Sequence, residues 1–90
     1  MSNDFRKEVE QLQKDIMLES VELDILNTLN EEARKMRAGE ISSLIDVTYQ
    51  LVGKRTSKLQ DIGLVTKERD SPDNIMRSEI TKRAKEIYFQ

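Results

Sequence analysis

The stretch from Gly39 to Asp70 reads GEISSLIDVTYQLVGKRTSKLQDIGLVTKERD, and its punctuation decides the fold. Glu40 to Ile45 has the apolar spacing of a short helix, with Ile41, Leu44 and Ile45 pointing inward. Asp46-Val47-Thr48 is a turn, and the Thr48 hydroxyl is suited to accept from the first free amides of a following helix. That second helix runs from Tyr49 to about Asp61, with Val52, Thr56 and Leu59 inward. Gly63 stands one or two residues past its end, where a left-handed residue closes a helix. Leu64 to Arg69 begins like a strand. Asp70-Ser71-Pro72-Asp73-Asn74 is the strongest turn signal in the chain and holds its only proline. Ile75 to Ile80 alternates as a returning strand, and Thr81 can cap a last helix from Lys82 to Phe89, with Ala84, Ile87 and Tyr88 on one side.

Upstream, Phe5, Val9, Leu12 and Ile16 recur at spacings of 4, 3 and 4, with polar residues between them. So narrow a stripe resembles a coiled-coil seam more than a broad core face, although it spans only about two heptads. It fits either a helix packed on its own domain or a seam between two subunits. A chain of 90 residues buries a modest core, which favours the seam and a homodimer. Residues 1–19 are thus expected to be a dimerisation helix and residues 20–90 the remaining domain. Val21, Leu23, Ile25, Leu26 and Leu29 form a broader face on a helix over about 20–30, with Ser20 as its cap, or on a rotated continuation of the first helix. Residues 30–38 are charge-rich and read equally as a helix extension or as a solvated connection.

Composition excludes much of chemistry. The chain has no Cys and no His, which removes disulfides, thiolate and imidazole metal sites, and catalysis by Ser-His or Cys-His pairs. Carboxylates are plentiful, but none stands with a recognisable catalytic partner, so neither an enzyme nor a cofactor is expected. No apolar run approaches the ~20 residues of a membrane span, and the first dozen residues lack a signal-peptide core. The expected location is the cytoplasm, with no membrane partner. Residues 1–32 carry three cations against nine carboxylates, net −6, whereas residues 33–90 carry twelve against eight, net +4. Such a split implies two jobs, and the local positive charge suits a polyanion although the whole chain has a pI near 5.2.

Two short helices across a tight turn, followed by a hairpin with a polar tip, resemble the winged helix-turn-helix of MarR-like and ArsR-like transcription regulators. LQDIGLV, residues 59–65, looks like their junction between recognition helix and first wing strand, and RDSPDNIMRSEIT, residues 69–81, like a wing that returns to cap a last helix. The resemblance covers about residues 20–90. It implies an α+β, mostly α fold: a winged helix-turn-helix with an N-terminal helical extension and a two-stranded wing. It further implies sequence-specific binding of double-stranded DNA by a homodimeric regulator. The recognition helix, about 48–61, would enter the major groove, and the wing, 64–80, would lie on the backbone or in the minor groove.

With Val52, Thr56 and Leu59 inward, Thr48, Tyr49, Gln50, Gly53, Lys54 and Ser57 face the groove. Gln50 has the donor-acceptor pair that adenine presents for, and Lys54 can reach guanine. Gly53 permits a close backbone approach, and Tyr49 either reads bases or packs on the wing. Arg55 and Lys58 suit phosphates, as do Lys67, Arg69, Asn74 and Arg77 on the hairpin. Three departures stand out. Thr56 occupies a position where that family often has Leu or Val, so the recognition helix is expected to pack less tightly. Residues 30–38 are unusually charged. The Cys and His ligands of metal-sensing relatives are missing, so metal sensing does not carry over. The alternative is a winged-helix protein-protein interaction module that never touches DNA.

Overall fold

A computed structural model of the chain describes residues 18–89. The four expected dimerisation residues, Phe5, Val9, Leu12 and Ile16, lie outside them. The described elements are α1 (Ser20–Glu32), α2 (Ala38–Ile45), α3 (Tyr49–Asp61), β1 (Val65–Asp70), β2 (Ile75–Ile80) and α4 (Lys82–Tyr88). The two strands pair antiparallel, with Val65 opposite Ile80 and Asp70 opposite Ile75. Among the described residues no helix is long and apolar enough to cross a membrane.

Each boundary has a local cause. Glu19, not Ser20, caps α1, and the Glu22 carboxylate reaches back to accept from the Glu19 amide at 2.9 Å. Ala33 ends α1 in the left-handed region, its N–H bonded to Leu29 O at 3.1 Å. Helix α2 starts two residues earlier than the apolar spacing predicted, because Glu40 accepts from the Arg37 amide at 3.0 Å and so fixes the first turn. The Thr48 hydroxyl caps α3 by accepting from the Leu51 amide. Gly63 then turns the chain at φ +81°, and the Leu64 amide reaches back to Leu59 O at 2.9 Å. Thr81 caps α4 and also donates its hydroxyl to Gly63 O at 2.9 Å, so one side chain joins the exit of α3 to the entry of α4.

The core gathers one face of each element: Ile25, Leu26 and Leu29 from α1, Ile41 from α2, Val52 and Leu59 from α3, then Leu64, Val65, Ile80, Ala84 and Ile87. Burying a Leu or Ile side chain contributes about 1.5–3 kcal/mol each. Two inward assignments fail. Leu44 is 59% exposed, because α2 meets the core along Ile41 and only partly along Ile45. Leu23 is also on the surface, whereas Tyr88 packs against the core beside Ala84 and Ile87, as its place in the sequence suggested. The charged connection after α1 resolves as a short extended segment. Met36 and Ser78 exchange both backbone hydrogen bonds at 2.8 Å, so Met36 adds a one-residue bridge beside β2 and is itself fully buried. Thr56 does not loosen α3: it is 1% exposed, and its hydroxyl donates to Gly53 O at 3.1 Å.

Candidate nucleic-acid interface

Helix α3 has three faces. Val52, Thr56 and Leu59 bury one. At 100° per residue, Gln50, Lys54 and Ser57 lie nearly opposite, and all three are exposed. Tyr49, 60% exposed, sits at the first turn beside the capping Thr48. Lys54 has no ion-pair partner among the described residues. Gly53 lies beside this stripe, half-buried, and a Cβ built there would meet nothing within 4 Å. The stripe therefore presents an amide, an ammonium, a hydroxyl and a phenol on a helix whose other side is anchored in the core. That is the donor and acceptor set that reads base edges.

The third face holds Arg55 and Lys58, one turn apart. They point to α1 rather than joining Lys54. Arg55 pairs with Glu19 at 3.1 Å and with Glu22 at 3.7 Å, and Lys58 pairs with Glu22 at 3.2 Å. Glu22 is fully buried. Sequence periodicity missed it because a carboxylate on an acidic helix reads as solvated. Its signal was the Glu19-x-x-Glu22 pair at a helix start together with two cations one turn apart on α3.

The hairpin's cations are also largely engaged within the fold. Lys67 folds back on α3, donating to Gly53 O at 3.3 Å and to Ser57 Oγ at 3.0 Å, and burial lowers its pKa. Arg77 grips Asp73 through both nitrogens at 2.8 and 3.1 Å and reaches Asp70 at 3.5 Å. Hydrogen bonds from Arg77, and then from the Ile75 amide, hold the Asp73 carboxyl at about 2, well below the usual carboxylate value. Arg69 donates to Asn74 O at 3.1 Å across the turn, where Asn74 takes a left-handed φ of 56°. Lys35 meets Glu68 and Asp70 at 3.3 and 3.4 Å. Between Val65 and Ile80 the hairpin has three cations and four carboxylates. Of the predicted hairpin contacts, Arg69 and Asn74 sit together at the exposed tip, Lys67 lies against Gly53 and Ser57 of α3, and Arg77 is held by Asp73 and Asp70.

No family model matches the chain, and no curated protein matches it in sequence. Solved structures do. A single-substitution variant of Lactococcus lactis ZitR superposes with a TM-score of 0.69 at 25% identity, over 78% of this chain and 47% of that one. A MarR-like transcriptional regulator from Thermotoga maritima gives 0.65 at 25% identity, over 79% and 50%. The adhesin competence repressor AdcR of Streptococcus pyogenes gives 0.71 at 18% identity, over 96% and 64%. The fold is a MarR-like winged helix-turn-helix. In these terms α2 and α3 are the helix-turn-helix, α3 is its second helix, and β1–β2 is the wing. The chain spans about half the length of the ZitR and Thermotoga structures. Among the described residues no group of His, Cys, Asp and Glu could hold a metal ion.

Proposed function

We propose that the chain binds double-stranded DNA sequence-specifically and acts as a transcriptional regulator, with α3 in the major groove. One observation carries this reading: the exposed stripe of Gln50, Lys54 and Ser57, with Tyr49 and Thr48 at its N-terminal end, on a helix fixed by its opposite face. The likeness to structures of transcriptional regulators supports it. Gln50 reads adenine, Lys54 reads guanine, and Gly53 leaves room for the sugar-phosphate backbone. Arg69 and Asn74 at the wing tip meet the flanking backbone or minor groove. Residues 1–19 pair two copies through Phe5, Val9, Leu12 and Ile16, and two recognition helices then reach successive major grooves about 34 Å apart.

The balanced charge of the wing favours a second reading, a winged-helix module that docks on another protein. Fluorescence anisotropy with duplex DNA across a salt series separates the two. DNA binding gives an affinity that falls steeply with salt, and Lys54→Ala then relaxes base preference at one position. A folded protein that binds no duplex at about 50 mM salt supports the protein-docking reading instead.

A further inference from the structure

Glu22 is the one fully buried charged side chain among the described residues. Its Oε1 accepts from the Glu19 amide at 2.9 Å. Its Oε2 lies 3.2 Å from the Lys58 ammonium and 3.7 Å from the Arg55 guanidinium, without an aligned hydrogen bond to either. Glu19 holds the other arm of Arg55 at 3.1 Å. The Tyr88 hydroxyl of α4 is buried with no hydrogen-bond partner among the described residues, and burial together with the Glu22 charge raises its pKa. Helices α1 and α3 thus meet at one carboxylate.

A buried carboxylate is tolerated only while its counter-charges stay in place. Lys58 and Arg55 sit on the flank of α3, between its buried stripe and its exposed one. Turning α3 about its axis far enough to bring Lys58 onto DNA would strand the Glu22 charge. Val52, Thr56 and Leu59 hold the buried face of α3 in the core, and the ion pairs on its flank add a polar lock on the same orientation. We propose that Glu22 is a positioning residue for the recognition helix: it holds Lys58 and Arg55 against α1, keeps both cations off the phosphates, and so fixes which face of α3 meets the bases. This rests on the DNA-binding reading above. It reassigns Arg55 and Lys58 from the phosphate contacts that their place in the sequence suggested.

The test measures anisotropy for a duplex carrying a selected site and for a random-sequence duplex, over a salt series, with the wild type, Glu22→Gln and Lys58→Met. Circular dichroism checks that each variant is folded. For Glu22→Gln, freed Lys58 steepens the salt slope on random duplex by about 0.9, one phosphate's worth. Preference for the selected site falls about tenfold, the discrimination carried by one base pair. For Lys58→Met, preference falls while the slope stays where it was. Lys58 is half-exposed and Arg55 stays beside Glu22 when it is replaced, so this variant is the milder of the two and decides the matter if Glu22→Gln does not fold. A Lys58→Met slope shallower by about 0.9 with unchanged preference makes Lys58 a phosphate ligand and overturns the proposal. Equal losses on both duplexes for Glu22→Gln, or no change on either, also overturn it. A wild type that binds neither duplex overturns the DNA-binding reading itself, a result visible before any variant is compared.

Discussion

Gly53→Ala is expected to make α3 more stable and, on the DNA-binding proposal, DNA binding weaker, and the two effects come from the same added methyl group. Gly53 lies in the interior of α3, four residues past its first, with helical backbone on both sides. A glycine there costs about 0.8–1 kcal/mol relative to alanine, because its unfolded backbone is freer. Nothing within 4 Å opposes a Cβ at this position, so no packing penalty offsets the gain. The Gly53 carbonyl keeps its two donors, the Thr56 hydroxyl and the Lys67 ammonium, since neither contact involves the α-carbon substituent. In a domain of this size the gain corresponds to a rise in Tm of about 4–8 °C, read by circular dichroism or calorimetry. On DNA the sign reverses. If the backbone of a duplex approaches Gly53 closely, the methyl occupies the contact space, and affinity measured by anisotropy falls roughly tenfold, about 1.4 kcal/mol. A Tm that stays level or drops refutes the propensity argument. A raised Tm with unchanged affinity leaves the helix argument intact and removes Gly53 from the interface.

The neighbouring glycine responds in the opposite sense. Gly63 stands at φ +81°, where an L side chain costs about 1–2 kcal/mol, so Gly63→Ala lowers Tm although open space surrounds it. Leu44→Lys, at a site 59% exposed, changes unfolding free energy by no more than about 0.5 kcal/mol in a urea titration, whereas an inward Leu44 would give several times that. Followed by carbon NMR, the Asp73 carboxyl is expected to titrate at about 2 in the folded protein, against 3.8 for the free group. Its folded pKa is depressed, so the Asp73–Arg77 pair stabilises the wing above the free value. That contribution disappears as pH falls through about 2, and an Asp73 midpoint near 3.8 shows that the pair does not form.

The order of elements was legible because punctuation is local. Thr48, Gly63, Pro72 and Thr81 each act within a few residues of themselves, and the helix over Tyr49–Asp61 and the strand over Ile75–Ile80 fall where those residues place them. Burial was less legible, because it depends on the partner element. The period of α2 marks Leu44 as apolar, but it cannot say that α1, α3 and β2 all approach from the side of Ile41. Met36 stands in a charged run with no period at all. Its burial comes from Ser78, far along the chain, which supplies the backbone partner. The site divides in the same way. The exposed stripe of α3 follows from helical geometry once its core residues are known. The engagement of Arg55, Lys58, Lys67 and Arg77 does not, since each is decided by a carboxylate or carbonyl on another turn or another element.

The bridge between Met36 and Ser78 closes a loop that contains α2, α3 and β1. Closing so long a loop costs configurational entropy that neither of its two hydrogen bonds repays alone, so the bridge persists only while everything inside the loop stays packed. Ordinary fraying at the wing tip or the helix ends does not release these two amides. Their exchange with deuterated solvent therefore follows opening of the whole unit, which makes the Met36 and Ser78 amide protons internal gauges of global stability.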